Sequence, residues 1–525
     1  MVETPSSGRS AIDSLGRGTA TLVVGTFLLL MLSFVGRVAV ARTLTLTQFG
    51  DFNLGLAFAG LLALVALLGL HQAVARTLAE LPDPAVRRRL VRWTAVVTAI
   101  AAVVSTAAVY LLAGQIASIF NPGSPAVLTV VFQMFSVTIG LTLLCTFIAS
   151  IFQGFEDTLP FAVLNQGIQP AAFLVFVFIL FYFHLQLTAA LISWVLSNVV
   201  TFIALLIYAW RRLHLHLPDV PPAQDLPAGL WVLSLSLWGV TTLMFVTGYI
   251  DTLILGVFRP EAQVGIYSAL MTLARLILVA ATSVTYIFLP VTARLKGVND
   301  YASIRSTYVT AGRWVMIFTV PMFFVFGLLP KNSLAVVFGP SYAPGAEALL
   351  VVTAAGLLSV AFGPVNAALG GLAMTRPLLF ATAVSAVSNV VLSFTLIPTY
   401  GLMGAAVAWS VARVLYPAAG AWALYATHKI TPLRRNFVLP LGVALAVGIP
   451  LFVFISYVHH PGWVVFPLYF VGVLIFLGAI LATRSVEEGD LVIIRIAERT
   501  LGRPLPRVER FLQRFGQPGT FLPEK

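Results

Sequence analysis

Apolar runs of about twenty residues recur along the whole chain, and each ends in a short polar stretch. About twenty residues of helix cross the hydrocarbon core of a bilayer. The pattern therefore predicts fourteen spans, at roughly 19–41, 50–74, 91–113, 127–152, 160–183, 187–210, 228–254, 263–290, 311–330, 347–369, 376–397, 401–426, 438–458 and 463–483. The fold class that follows is an all-α polytopic membrane protein. The polar residues before the first run lead directly into a full-length apolar span. That span reads as an uncleaved first helix rather than a signal peptide.

Polar positions inside the spans are few, which makes their spacing informative. In the eighth span Ser268, Thr272, Arg275, Thr282 and Tyr286 recur at helical intervals and fall on one side. Arg275 lies near the middle of that stripe. A charge at that depth costs on the order of 2.5–3.5 kcal/mol or more, so it tends to face a wet cavity or a partner. Ser33 and Arg37 share a face of the first span, and Asp251 stands in the outer part of the seventh. Two readings of each arginine stay open at this level. Arg37 either meets a ligand or pairs with Asp251, and Arg275 either meets a ligand or bonds a neighbouring helix. Arg413, in the twelfth span with Trp409 and Tyr416, reads as a packing residue of the second half. Gln169, with Asn165 and Gln166, reads as a helix–helix contact.

Composition sharpens the class. Hydrophobic residues make up 59% and charged residues 10% of the 525, far from the balance of a soluble domain. The net charge of +12 reflects placement rather than nucleic-acid binding. Of the 31 lysines and arginines, 25 fall on the side of the membrane shared by the N-terminus, only Arg42, Arg259 and Lys331 fall on the other, and the rest lie within spans. The positive-inside rule then puts both termini in the cytoplasm. The single cysteine, Cys145, excludes an intrachain disulfide and a cysteine metal cluster. The basic tail (484–525) carries scattered apolar residues and could lie on the inner leaflet as an interfacial helix or stay irregular.

The chain also repeats. TQFGDF at Thr47–Phe52 resembles AQVGIY at Ala262–Tyr267, FNPGSP at 120 resembles FGPSYA at 338, and Trp194 matches Trp409, at a constant offset of 215–218 residues. Six spans per repeat is even, so both halves insert the same way up, as in parallel-repeat transporters. The predicted organisation is a cytoplasmic N-terminus (1–18), a six-helix lobe (19–210), a linker (211–227), a second six-helix lobe (228–426), two extra helices (438–483) and the tail (484–525).

The pattern DTLILG from Asp251, followed after a short loop by VGIYSA from Val264, resembles the polysaccharide and oligosaccharide-lipid flippases of the multidrug/oligosaccharidyl-lipid/polysaccharide exporter superfamily. The resemblance implies two pseudo-symmetric lobes around a central cavity lined by helices 1, 2, 7 and 8, with helices 13 and 14 as an additional pair. In the similar lipid II flippases, arginines on helices 1, 2 and 8 serve transport. Arg37 and Arg275 match the first and last of these, with Ser33 and Thr272 one turn away as substrate-facing partners, while helix 2 has no arginine in its span. Some relatives bind sodium through an acid on helix 7 and polar groups on helices 11 and 12, for which Asp251, Asn389 and Ser393 are the counterparts.

The function implied is outward translocation of a polyprenyl-(pyro)phosphate-linked oligosaccharide, with the bilayer and the lipid-linked glycan as partners. Glycan polymerases or glycosyltransferases are candidate partners, and the chain is expected to be a monomer that binds no nucleic acid and needs no cofactor. Two alternatives remain. One is a multidrug or organic-cation antiporter of the same superfamily, which would want acidic rather than basic residues in its cavity. The other is a membrane-embedded glycan transferase or ligase, which would want a sizeable outside loop. The chain has no Walker A loop, no HExxH motif and no Gly-x-Ser-x-Gly elbow.

Overall fold

The computed structural model describes residues 30–157, 159–216, 227, 229–458 and 462–486. Most of the first predicted span, most of the linker after the sixth and the basic tail beyond Val486 lie outside the described residues. From the amino end the helices are α1 (30–43), α2 (Leu46–Leu67), α3 (Leu70–Glu80), α4 (Pro84–Phe120) and α5 (Ala126–Gly154). A π-helical segment, Pro160–Ile168, runs into α6 (Gln169–Phe181), followed by α7 (Gln186–His216), α8 (Leu230–Phe258) and α9 (Glu261–Gly297). Then come α10 (Tyr301–Leu328), α11 (Pro330–Val337), α12 (Ala346–Ala361), α13 (Val365–Gly371), α14 (Thr375–Tyr400), α15 (Leu402–His428), α16 (Arg435–Tyr457) and α17 (Val465–Ala482). Twelve are long and apolar enough to cross a membrane, or up to thirteen spans with the two halves of α8 taken as one. With α1 described only in part, this series follows the predicted one from the second span to the last.

The helix ends obey local rules. Thr45 opens α2 as a capping box: its hydroxyl accepts from Gln48 N (3.2 Å) and Gln48 Oε1 accepts from Thr45 N (3.1 Å). Asp83 caps α4 ahead of a proline at its first position. Asp300 caps α10 by accepting from Ser303 N (3.0 Å), and the hydrogen bonds from Ser303 hold its carboxyl below the usual aspartate range. A depressed folded-state value means that the contribution is present above the ordinary aspartate range and lost as pH falls through the lowered one. The difference in thermal midpoint between the wild type and Asp300→Ala is therefore expected to narrow on acidification. A constant gap from neutral pH to below the ordinary aspartate range would count against this cap.

The helices gather into two compact units, 1–268 with 393–405 and 269–392 with 406–525, so that α9, α14 and α15 each contribute to both. In hydrocarbon there is no hydrophobic drive for helices to associate, so packing and hydrogen bonds hold each unit together. In the first unit α5 packs against α2, α3, α4 and α7. Phe52 on α2 sits among Phe135, Phe173 and Trp194, with ring centroids 5.7, 6.3 and 6.1 Å away. Gln169 reaches the Ser197 hydroxyl on α7 (3.4 Å), the contact its polar face predicted. In the second unit α10 is central, with α12, α16 and α17 packed on it and the Phe324 and Phe452 rings tilted against each other at 5.0 Å. Arg313 of α10 is 1% exposed and donates to the Ser485 carbonyl, fixing the chain just after α17. Many large apolar side chains face outward, as a lipid solvent allows.

Three predicted spans are not continuous rods. The second breaks at Leu68 and Gly69, both at positive φ (46° and 70°), leaving α3 as a separate helix. The tenth breaks at Phe362–Pro364 between α12 and α13. The seventh, α8, bends by 53° between Leu230–Leu243 and Phe245–Phe258. No proline lies in α8, but the Thr241 hydroxyl bonds back to Leu237 O (2.6 Å), a contact that weakens and tilts a helix turn. The Pro330–Glu347 loop holds α11 and a 3₁₀ turn at Pro340–Gly345.

Candidate functional site

The repeated motif turns out to be a helix crossing. Gly50 of TQFGDF and Gly265 of AQVGIY meet in the first unit, where α2 and the start of α9 approach backbone to backbone. A Cβ on Gly50 would overlap the Glu261 carbonyl oxygen and stand 2.7 Å from its carbon. A Cβ on Gly265 would overlap Leu46 O and stand 3.2 Å from Gly50 N. Only glycine permits that approach. Asn121, from the FNPGSP turn, donates to Glu261 at 2.6 Å and ties the same point to the end of α4.

Asp251 is fully buried on the C-terminal half of α8 and accepts a hydrogen bond from the Tyr267 hydroxyl. Thus the aspartate of DTLILG and the tyrosine of VGIYSA are bonded partners sixteen residues apart. The turn between α8 and α9 then clamps the turn between α14 and α15. Arg259 donates to the carbonyls of Ile397 (3.3 Å), Pro398 (2.6 Å) and Thr399 (3.0 Å) in the last turn of α14, where a cation also meets the negative end of the helix dipole. Gln263 Oε1 accepts from Leu402 N (3.1 Å), one of the orphan donors that open α15. Charge placement alone had marked Arg259 only as an outside residue.

The remaining candidates fall in pairs along three helices. Ser33 and Arg37 lie one turn apart on α1, both half-buried. Thr272 and Arg275 share a face of α9, with Thr272 and Ser268 buried and Arg275 half-buried. The side chains of Thr282 and Tyr286, which continue that stripe in sequence, lie outside the described residues. Asn389 and Ser393, one turn apart on α14, are both fully buried; Ser393 belongs to the first unit with Asp251, and Asn389 to the second. No group of three or more histidine, cysteine, aspartate or glutamate side chains able to hold a metal ion occurs among the described residues.

Comparison with known proteins adds an independent line. A family described as "Polysaccharide biosynthesis protein" matches residues 15–296. A curated relative, the probable low-salt glycan biosynthesis flippase Agl15 of Haloferax volcanii, is 23% identical over 160 residues, which are 30% of this chain and 34% of the relative. The chain thus spans about a third of the length of this curated relative. Among solved structures, the lipid II flippase MurJ in its inward closed conformation aligns with a TM-score of 0.66 at 14% identity, over 88% of this chain and 98% of that one. An inward-facing multidrug resistance MATE family transporter of the MOP superfamily aligns with a TM-score of 0.63 at 15% identity, over 78% and 98%. At these identities the two likenesses show the fold, which is that of the MOP superfamily transporters.

Proposed function

Because this chain belongs to the polysaccharide biosynthesis protein family, we propose that it is a flippase for a polyprenyl-(pyro)phosphate-linked oligosaccharide, moving the headgroup from the cytoplasmic to the outer leaflet by alternating access. The physical problem is to carry a polar glycan and its phosphate charge past about 30 Å of hydrocarbon. Guanidinium groups meet that charge with paired N–H donors while the lipid tail stays in the bilayer. The observation that carries the reading is the sign of the charge placed within the spans. Arg37 and Arg275 are half-buried on α1 and α9, whereas the carboxylate of Asp251 is fully buried against the Tyr267 hydroxyl. Ser33 and Thr272 are assigned as their polar neighbours at the headgroup.

In this reading the protein is a multi-pass cell-membrane transporter with both termini cytoplasmic, working as a monomer beside the glycosyltransferases or polymerases that make and use its cargo. It transports rather than catalyses. An inside-negative potential favours outward movement of an anion by about 2.3 kcal/mol per charge per 100 mV, so no nucleotide site is required. The direct experiment is reconstitution in liposomes with a fluorescent lipid-linked glycan. Protein-dependent appearance of the glycan in the opposite leaflet is the expected result, and a rate equal to that of empty liposomes would remove the assignment.

Sodium coupling through Asp251, Asn389 and Ser393 is a separable part of the proposal. Sodium is expected to accelerate translocation by the wild type, and Asp251→Asn is expected to remove that dependence. A wild-type rate indifferent to sodium would dismiss the coupling and leave the flippase reading untouched.

A further inference from the structure

The second unit contains a chamber that the preceding reading does not use. Its volume is about 480 Å³, and it opens where the tenth span is interrupted between α12 and α13. Gly363 takes a left-handed conformation there (φ 81°), and Pro364 follows it. The interruption frees backbone groups, and part of that loss is made good from behind: the Tyr308 hydroxyl donates to Phe362 O at 2.5 Å. Interrupted helices at membrane depth are tolerated where they are buried in protein or line a water-filled cavity, and in transporters they border binding sites.

Arg413 lines this chamber from near the midpoint of α15. Its Nε is buried and has no hydrogen-bond partner among the described residues. A guanidinium in the middle of a span tends to face a partner or a water-filled cavity, and here it faces the chamber. Among the described residues, no carboxylate lines the chamber. Ser359 directs its proton to the Gly356 carbonyl (2.9 Å), so the neutral donors left on the wall among the described residues are the Asn366 amide and the Tyr416 hydroxyl. Ala281 and Leu289 of α9 supply apolar wall. The described lining thus offers a fixed positive charge and hydrogen-bond donors with no competing anion, around a cavity far larger than the roughly 30 Å³ that one water occupies.

We propose that this chamber is an oxyanion site of the second unit, in which Arg413 receives a phosphate-type group supplied either by a lipid headgroup or by a soluble phosphate. The paired N–H donors of a guanidinium match two oxygens of such a group at once. Neither Arg37 nor Arg275 is among its lining residues, and the proposal does not depend on the chain being a flippase, since occupancy is measured without transport.

The test is equilibrium binding to the full-length protein in phosphatidylcholine nanodiscs, with radiolabelled inorganic pyrophosphate in one arm and radiolabelled geranylgeranyl pyrophosphate in the other. The wild type and Arg76→Gln, which removes an exposed arginine paired only with Glu80, are expected to bind alike. Arg413→Gln is expected to weaken one class of sites by at least about tenfold, the loss of one charge-assisted contact, and Arg413→Lys to recover part of that loss. Asn366→Trp fills the mouth of the chamber and leaves Arg413 in place, so its loss of binding holds the test open if the Arg413 variants fail to fold. Binding of both probes identifies a site open to soluble phosphates, and binding of the prenyl probe alone identifies a lipid headgroup site. Wild-type binding of neither probe, or equal binding by the wild type, Arg413→Gln and Asn366→Trp, would overturn the proposal and leave Arg413 a hydrated structural residue.

Discussion

Arg275→Ala is expected to abolish display of the glycan at the cell surface while the protein remains in the membrane at its normal level. The side chain is half-buried on a face of α9 that also carries Thr272 and Ser268, both buried. Truncating one partner of a desolvated charge pair typically costs about 2–5 kcal/mol, or roughly thirtyfold to several thousandfold in occupancy. Arg275→Lys keeps the charge but gives up the planar pair of donors, so partial display is expected. The ordering alanine, lysine, arginine separates a role in meeting phosphate from a role in packing, because packing does not distinguish the two cations in that order. Surface glycan measured by lectin or antibody labelling, beside immunoblots of membrane fractions, gives both readouts. Normal display in both variants would take Arg275 out of the mechanism.

Gly50→Ala and Gly265→Ala are each expected to destroy the folded protein rather than its activity. The atoms a new methyl would strike belong to backbone, Glu261 O in one case and Leu46 O in the other, and cannot rotate away. Overpacking inside a well-packed protein costs about 1–3 kcal/mol and occasionally more, and a backbone obstacle places both sites at the upper end. The two changes press on one crossing, so the double variant is expected to lose less than the sum of the single losses: separating the helices once relieves both overlaps. Gly114 provides the comparison, because a Cβ there meets nothing within 4 Å. Gly114→Ala should be neutral or slightly stabilising, since alanine favours a helix interior over glycine. Monodisperse yield after detergent extraction and the thermal midpoint distinguish these outcomes. Wild-type yield from Gly50→Ala would mean that the helices are not held at this separation.

Most spans were legible because hydropathy reports the solvent, and lipid demands long uninterrupted apolar helices. Their interruptions were not. The break at Gly363–Pro364 lies inside the apolar run 347–369, and hydropathy is blind to a change of backbone direction that leaves composition unchanged. The bend in α8 accompanies a threonine bonding back to a carbonyl, a contact that hydropathy does not register. A repeat in sequence says that two segments are alike and not that they touch. That Gly50 meets Gly265, and that Asp251 bonds Tyr267, follows only from the packing of the two halves of the motif. Arg413 read as packing because aromatic neighbours at helical spacing are usually packing. A glycine–proline pair within a neighbouring apolar run was the one available sign of a chamber beside it.

The angle in α8 has a mechanical consequence. Its C-terminal segment, Phe245–Phe258, is a lever about 21 Å long. A swing of roughly 10° about Met244 would carry its tip through about 4 Å and Asp251, midway along, through about 2 Å. Arg259 sits immediately beyond that tip and grips the carbonyls of Ile397, Pro398 and Thr399. Any such swing would therefore be passed directly to the corner between α14 and α15, making Arg259 the coupling rod between the lever and the next pair of helices.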